Sequence, residues 1–221
     1  MTAHAAGKSG ITPAQFHEKP GVTHWHVTSW GPQACFRATS LRSAVGLLPA
    51  IVKAGEEFGL DPDVDIRPEA LVVRVPYRGA DRIPEGAPGF ASAVSSAAEA
   101  AGLTAAPEWI QTVDIAVAQH ASVDSRPFWT AILGYEVSGE TDSVDPLRRG
   151  PSLSFQPIPR AGRGRTHIDV SVPADRAQER VAAALAAGGR LVDDSRAPMW
   201  WTIASPDNHG IDVAAWTDTW K

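Results

Sequence analysis

A strand–helix–strand pattern that occurs twice in the second half of the chain limits the possible folds most strongly. In the first copy, the predicted strand, helix and two further strands are residues 111–118, 126–133, 135–139 and 152–158. In the second copy, the strand, the helix and three further strands are 167–172, 174–187, near Leu191, 200–204 and 211–216. The copies share no obvious sequence identity, so the repeat is one of pattern alone. It predicts paired βαβββ modules.

The first half of the chain has a different order of predicted elements. Thr12-Pro13 is typical of a helix start, with threonine as the N-cap and proline in the first turn. The remaining predicted elements are strands over 25–30 and 34–39, a helix over 41–58, a strand over 71–77 and a helix over 90–101. This order favours a small antiparallel sheet with helices on one face, so the whole chain is predicted to be α+β.

Two patterns in one chain predict two domains. The predicted divisions are a disordered N-terminus at 1–10, a first domain at 11–103, a linker at 104–107 and a second domain at 108–221. The linker assignment depends on Thr104-Ala-Ala-Pro107, where small residues and a proline separate two patterned regions.

Charge and composition exclude some classes of partner. The 221 residues include 20 Lys and Arg against 25 Asp and Glu, and this net charge of −5 gives no electrostatic basis for binding nucleic acid or a membrane surface. The sequence has no apolar run of membrane-spanning length, and no signal peptide is predicted. The single cysteine, Cys35, cannot form an internal disulfide, which suits a reducing compartment. We therefore expect a cytoplasmic protein.

Four segments of the second domain resemble signatures of the glyoxalase/bleomycin-resistance (vicinal oxygen chelate) superfamily. They are Arg126-Pro-Phe-Trp-Thr-Ala-Ile-Leu-Gly-Tyr-Glu136, Leu153-Ser-Phe-Gln-Pro-Ile-Pro159, Arg165-Thr-His-Ile-Asp-Val170 and Trp201-Thr-Ile-Ala-Ser-Pro-Asp-Asn-His-Gly-Ile-Asp-Val213. Each is weak alone, but they follow one another in the family's order. The last segment departs from the pattern, because Ser205 replaces the usual aspartate and Asn208-His209 replaces Gly-Asn. The resemblance implies a small-molecule cleft between the two modules.

The resemblance also implies a divalent metal between the modules, held by residues from the first and last strands of each. The corresponding positions are Asp114, Gln156, His167 and Asp212. We predict Asp114, His167 and Asp212 as catalytic residues and metal ligands, and Gln156 as a substrate contact. Nitrogen and oxygen donors suit a hard or borderline ion. Aspartate is shorter than the family's glutamate, so the alternative is a hydrogen-bonded pair of His167 and Asp212 without a metal.

Four further residues are predicted to contact a substrate. Trp200 and Trp201 are adjacent in a strand and face opposite sides, so one can lie in the core while the other lines the cleft. Phe128 lies on an amphipathic helix, where core packing is the alternative. Arg165 ends an arginine-rich segment that could bind an anionic substrate.

The first domain is similar in layout to pterin-4a-carbinolamine dehydratases. The matching pieces are Thr12-Pro-Ala-Gln-Phe16, Trp25, Phe36-Arg-Ala-Thr-Ser40, the helix to Glu56, Pro62 and the strand over 71–75. That family's chemistry needs imidazoles in a His-His-Pro turn, because their pKa lies near neutrality. Here the turn is Leu60-Asp61-Pro62, and a further histidine position falls near Arg78. We predict that the activity is lost. The alternative is a site rebuilt from Asp61, Asp63 and Arg78.

These resemblances imply three functions, each with a small-molecule ligand. The first is a metal-dependent lyase or isomerase acting on an oxygenated molecule, and it alone requires a divalent metal as cofactor. The second is a non-catalytic protein that sequesters a drug or metabolite. The third is a pterin-4a-carbinolamine dehydratase with a rebuilt site. A homodimer is compatible with all three, since such folds often pair.

Overall fold

The computed structural model describes residues 10–76, 82–120, 126–127, 130, 135–139, 142–158, 166–186, 188–204 and 210–217. The predicted disordered segment at 1–10 lies outside these residues except for Gly10. The chain divides into two compact units, Met1–Ile110 with Trp216–Lys221, and Gln111–Ala215. Each unit has its own sheet and its own apolar core, so the predicted α+β class is confirmed. None of the described helices combines the length and the apolar character needed to cross a membrane.

The first unit has an antiparallel sheet and helices along its described residues. The helices are α1 (Pro13–His17), α2 (Leu41–Gly46), α3 (Leu48–Phe58) and α4 (Ala87–Ala100). The strands are β1 (His26–Thr28), β2 (Gly31–Arg37), β3 (Asp63–Ile66), β4 (Ala70–Arg74) and β5 (Thr104–Ala105). The strand order is β1-β2-β4-β3, and β5 pairs with β2. The predicted cap of α1 is confirmed, because the Thr12 side chain accepts from the backbone N–H of Gln15.

The main core of this unit lies between the sheet and its helices. The side chains that β2 and β4 direct into it are Ala34, Phe36, Leu71 and Val73. Trp25 is fully buried there, and its Nε1–H donates to the carbonyl of Ala91 and the hydroxyl of Ser95, each at 3.1 Å. The Trp25 ring meets Phe90 edge-on at 5.7 Å between centroids. One indole therefore ties the strand region to α4 by both packing and hydrogen bonds.

The helix predicted over residues 41–58 is two helices, and the prediction of one helix was wrong. Helices α2 and α3 meet at Leu47, and Pro49 lies in the first turn of α3. In a continuous helix the Pro49 ring would clash with the carbonyl of Val45 and leave it without its hydrogen bond. At the start of a helix the missing N–H has no cost.

The structure divides the units differently from the predicted linker over 104–107. Thr104–Ala105 is strand β5 of the first unit, and Pro107–Trp109 forms a short 3-10 helix in the same unit. At the other end of the chain, Trp216 packs against the main core of the first unit. In sequence, the second unit therefore lies between two segments of the first.

The second unit is built on one eight-stranded sheet. Its strands are β6 (Thr112–His120), β7 (Glu136–Ser138), β8 (Asp142–Val144), β9 (Ser152–Ile158), β10 (Thr166–Val172), β11 (Arg190–Asp193), β12 (Trp200–Ala204) and β13 (Gly210–Ala215). Helix α5 (Ala177–Ala186) follows a 3-10 turn at Ala174–Arg176, and residues 126, 127 and 130 are helical. The order is β11-β12-β13-β10-β6-β9-β8-β7.

This strand order contains the repeat predicted from the sequence, because the strands of the two modules occupy related positions. Strands β6 and β10 pair antiparallel at the centre of the sheet. Each has a parallel partner from its own module, β9 for β6 and β13 for β10. Antiparallel strands then extend the sheet on both sides. The paired βαββ(β) modules are thus two halves of one sheet.

The central strands separate an apolar face from a polar face. On β10, Ile168, Val170 and Val172 alternate with His167, Asp169 and Ser171. The apolar face packs against α5 through a core that includes Val172, Val181, Trp201 and Val213. The polar face carries the charged residues of the second unit's central strands, so any polar site in the sheet must lie there.

Gly31 lies at a position in the first sheet where no side chain fits. Its φ is +105°, and a Cβ on it would lie 2.3 Å from the carbonyl oxygen of Val75. We expect Gly31→Ala to lower the free energy of unfolding by roughly 1–3 kcal/mol or more, from backbone strain and the clash. Gly46→Ala is the matched control, because nothing lies within 4 Å of its Cβ. It should raise stability by roughly 0.5–1 kcal/mol. Urea denaturation followed by circular dichroism measures both, and equal effects would contradict the expectation.

Candidate functional site

Three polar side chains from two adjacent strands bring their donor atoms together on the polar face. His167 and Asp169 lie two residues apart on β10, and Asp212 on β13 is directly opposite Asp169 in the parallel register. The Nε2 atom of His167 is 3.1 Å from Oδ1 of Asp212 and 3.7 Å from Oδ1 of Asp169. One donor atom of each lies within 4.8 Å of the other two. Elsewhere among the described residues, no His, Cys, Asp or Glu side chains form such a group.

The three facing atoms are buried although their side chains are partly exposed. Nε2 of His167, Oδ1 of Asp169 and Oδ1 of Asp212 have no hydrogen-bond partner with both suitable distance and angle. The 3.1 Å approach of His167 to Asp212 has the length of a hydrogen bond but not its direction. A buried polar atom without a partner costs roughly 1–3 kcal/mol. Three that converge on one point are the arrangement that a cation would stabilise.

Burial and neighbouring charges shift the pKa values of His167 and Asp169 in opposing directions. The Asp212 carboxylate, whose Oδ1 is 3.1 Å from Nε2, raises the pKa of His167, while burial of the ring lowers it. Burial raises the pKa of the Asp169 carboxyl; His167 lowers this pKa and the charge of Asp212 raises it. Two carboxylates so close together are stabilised by a proton on one of them, by a proton on His167 or by a metal ion.

The distances from His167 to the two carboxylates are close to those between two ligands of one divalent metal. Two ligands held about 2.0–2.2 Å from one ion, at tetrahedral or octahedral angles, lie about 3.0–3.6 Å apart. The distances from His167 Nε2 to the two carboxylate oxygens, 3.1 and 3.7 Å, are close to that range. One imidazole nitrogen and two carboxylate oxygens suit a hard or borderline ion such as Mn²⁺, Fe²⁺, Ni²⁺ or Zn²⁺. Two aspartates also balance the charge of a dication.

Asp114 and Gln156, both expected at the site, lie on the polar face but outside this group. Asp114 on β6 is directly opposite Asp169, and its Oδ1 accepts a hydrogen bond from the Ser152 hydroxyl. Gln156 is exposed on β9, opposite Ala118 of β6. The geometry brings together two of the three predicted ligands, His167 and Asp212, with Asp169 as the third.

The sequence analysis did not select Asp169, although it lies within the family-like segment Arg165–Val170. The signal was available, because residues two apart on a strand share a face. What the sequence could not provide was the pairing of β10 with β13, which sets Asp169 beside Asp212. The family pattern favoured Asp114 instead.

The two adjacent tryptophans occupy opposite faces of β12. Trp201 is buried in the apolar core beside α5. Trp200 is half-buried on the polar face, two residues from Thr202, which is opposite Asp212. The guanidinium carbon of Arg196 is 5.5 Å from the Trp200 ring centroid. Phe128 and Arg165, the other two predicted substrate contacts, lie outside the described residues.

Cys35 is buried outside the main core, although its neighbours Ala34 and Phe36 belong to that core. It packs in a small cluster with Ala70, Ala106 and Ile110. Burial, and then the charge of Glu108, raise the pKa of the thiol to about 11. At pH 8 only about 0.1% is then thiolate, the reactive form. We expect negligible labelling by a disulfide-based thiol reagent in the native protein and one equivalent after unfolding; rapid native labelling would contradict this.

Of the residues considered for a rebuilt dehydratase site, Asp63 is already engaged in the structure. Asp63 forms an ion pair with Arg74, at 3.2 Å between Oδ2 and Nη2, and both side chains are about four-fifths buried (21% and 18% exposed). Leu60 packs against the main core. Arg78 lies outside the described residues. The Asp63 carboxylate therefore already has a partner in the fold, which does not favour a role in proton transfer.

Comparison with known proteins supports a family for the second unit. Residues 112–214 match the family described as "Glyoxalase-like domain". A solved structure of a glyoxalase/bleomycin resistance protein/dioxygenase superfamily member from Vibrio splendidus 12B01 aligns with 18% identity and a TM-score of 0.33, over 48% of this chain and 99% of that one. A structure described as NAD-dependent benzaldehyde dehydrogenase from Legionella pneumophila aligns with 15% identity and a TM-score of 0.32, over 47% of this chain and 99% of that one.

TM-scores this low carry no further inference, and no curated protein matches the chain. The comparisons do not support the resemblance of residues 11–103 to pterin-4a-carbinolamine dehydratases, which stays a prediction. The family match spans both modules of the second unit and includes His167, Asp169 and Asp212. Residues 112–214 are therefore a glyoxalase-like domain.

Proposed function

We propose that the glyoxalase-like domain holds a divalent metal at His167, Asp169 and Asp212 and acts there as a lyase or isomerase on a small oxygenated molecule. The observation that carries the proposal is the convergence of three buried donor atoms without hydrogen-bond partners. When bound, such an ion polarises substrate oxygens and stabilises negative charge on them.

The ligand set leaves room for a substrate. Three protein ligands do not complete the coordination shell of these ions, and catalytic sites typically keep positions open. All three ligands lie on regular strands, where hydrogen-bonded neighbours fix their spacing. A substrate would then be oriented by a rigid frame, which lowers the entropic part of the barrier.

Asp114 has the position of a proton-transfer group in this proposal. It lies opposite Asp169 across the β6–β10 pair, and Ser152 holds its carboxylate by a hydrogen bond. A carboxylate beside a bound oxygenated substrate can accept a proton from carbon or oxygen as charge develops. In this proposal Asp114 stays catalytic, but as a proton acceptor and not as the metal ligand predicted from the sequence.

Metal binding by the 221-residue protein tests the proposal. The protein is treated with a chelator, dialysed, and titrated calorimetrically with Mn²⁺, Fe²⁺, Ni²⁺ and Zn²⁺ in turn. We expect one equivalent to bind for at least one of these ions. Absence of stoichiometric binding for all four would contradict the proposal.

The position of Trp200 favours a second candidate, a sequestering protein without catalysis. Its half-buried ring lies on the same face as the cluster, where it could stack against an aromatic ligand. Titration with a panel of aromatic and cationic compounds should then quench tryptophan fluorescence in the parent protein and less in Trp200→Phe. Equal quenching in both proteins would exclude Trp200 as the contact.

For the first unit we expect no carbinolamine dehydratase activity. The Leu60-Asp61-Pro62 turn lacks the histidine pair of the dehydratases, and Asp63 is paired with Arg74. A direct dehydration assay at neutral pH should show the uncatalysed rate. A measurable acceleration that Asp61→Asn removes would instead establish the rebuilt site.

A further inference from the structure

Three aspartates lie side by side across the centre of the second unit's sheet. In the strand registers, Asp114 on β6 is directly opposite Asp169 on β10, which is directly opposite Asp212 on β13. Directly opposite side chains of an antiparallel pair have Cβ atoms about 4.5–5.5 Å apart, and like charges there destabilise a sheet. A cation bound at Asp169 and Asp212 would offset their repulsion, but it would leave the charge of Asp114 beside the site.

Asp114 is the counterpart of Asp169 in the first module, but the residue beside it differs. Strand β9 is parallel to β6 and places Ser152 opposite Asp114, just as β13 is parallel to β10 and places Asp212 opposite Asp169. The Ser152 hydroxyl donates to Oδ1 of Asp114. A serine supplies a hydrogen bond but no second negative charge. The first module therefore adds one carboxylate to the polar face without the second acid that accompanies Asp169.

The strands around the cluster provide no basic side chain to balance this carboxylate. Strands β6, β9, β10, β12 and β13 contain neither lysine nor arginine, and their only acidic residues are these three aspartates. Among the described residues, Arg196 lies beside β12, with its guanidinium carbon 5.5 Å from the Trp200 ring centroid, but β13 separates β12 from β10. Two of the aspartates balance a bound dication, so these strands keep an excess of one negative charge.

We propose that this excess charge selects the substrate: the site takes a molecule whose metal-binding oxygens are uncharged, such as a hydroxyketone or a diol, and disfavours a carboxylate or a phosphate. The proposal rests on the metal site proposed above. A negatively charged ligand would place a further charge close to Asp114, whereas an uncharged oxygen would not. Because the polar face is partly exposed, we expect Asp114 to weaken the binding of an anion by roughly 10-fold or more. Asp114 is then a specificity-determining residue.

Glycolate and glycolamide are matched probes for this proposal, because they have nearly the same size and differ by one negative charge. The 221-residue protein is loaded with the ion that it binds, and NMR of the probe methylene protons gives each affinity, through relaxation for a paramagnetic ion and saturation transfer for Zn²⁺. We expect the parent to bind glycolamide at least as tightly as glycolate.

The variant Asp114→Asn removes the charge and keeps an acceptor for the Ser152 hydroxyl. It should bind glycolate roughly 10-fold or more tightly than the parent does, while its affinity for glycolamide stays within about threefold. Asp175→Asn, on an exposed residue of the 3-10 turn, is the matched control and should bind both probes as the parent does.

Metal binding is measured before any probe is added, so absence of a bound ion would overturn the proposed function and this inference together. With an ion bound, three results would overturn the substrate assignment alone. One is a parent that binds glycolate more than about 10-fold more tightly than glycolamide, which would favour the anionic substrate predicted from Arg165. Another is equal affinity for glycolate in the parent and in Asp114→Asn. The third is failure of both probes to bind.

Discussion

Replacing Asp212 by alanine is expected to abolish stoichiometric binding of a divalent ion to the glyoxalase-like domain. Outer-sphere partners of metal ligands contribute roughly 10–100-fold to affinity, so loss of a direct ligand should cost about 100-fold or more. His167→Ala should have an effect of the same size, since its Nε2 lies within 3.7 Å of both carboxylate oxygens. Isothermal titration calorimetry of the chelator-treated protein gives the affinities.

Two conservative variants, Asp169→Asn and Asp114→Asn, test which aspartate is the third ligand. The structure indicates Asp169, whereas the sequence predicted Asp114. Asp169→Asn should weaken metal binding to a similar extent, whereas Asp114→Asn should reduce it far less, because Asp114 lies outside the group. Asp175→Asn, on an exposed residue of the 3-10 turn, is the matched control and should bind as the parent does. A loss of binding in Asp114→Asn with retention in Asp169→Asn would reverse the assignment.

The largest expected effect on stability is that of Trp25→Ala. The side chain is fully buried and touches Phe90, and its removal leaves a large cavity between the sheet and α4. Truncation of a buried aromatic residue costs roughly 3–5 kcal/mol, a large share of the stability of a small unit. Chemical denaturation followed by circular dichroism should show the loss.

Trp25→Phe keeps most of the packing and removes only the indole N–H. The Ser95 hydroxyl and the Ala91 carbonyl then lose their shared donor, for an expected cost of roughly 1–2 kcal/mol. This variant keeps the prediction testable if Trp25→Ala does not fold. Leu147→Ala, at a site that is 61% exposed, is the control and should change stability by less than about 0.5 kcal/mol. Equal losses in all three variants would show that Trp25 has no special role.

Strand positions in the second unit were the most predictable part of the fold. The predicted bounds of β9 and β12 agree with the structure, because apolar alternation is strong where one face is buried. Strands β3 (Asp63–Ile66) and β8 (Asp142–Val144) were not predicted. Both are short, and alternation over three or four residues is too brief to distinguish from a loop.

The site was predictable in part, for a similar reason. His167 and Asp212 could be identified from a family pattern, but Asp169 depends on which strands become neighbours. That pairing is set by packing between residues far apart in sequence, which periodicity does not contain. In the first unit, the break at Leu47 depends on a single proline within an uninterrupted apolar periodicity.

The position of Trp216 has a consequence for work with fragments. Trp216 follows the glyoxalase-like domain in sequence but packs against the core of the first unit. The glyoxalase-like domain is therefore inserted into the sequence of the first unit. A polypeptide cut near residue 110 would lack the Trp216 side chain that packs against its hydrophobic core, so ANS binding and protease sensitivity should increase. Excising residues 111–215 and joining the flanking segments through a short glycine-rich bridge is the more faithful way to isolate the first unit.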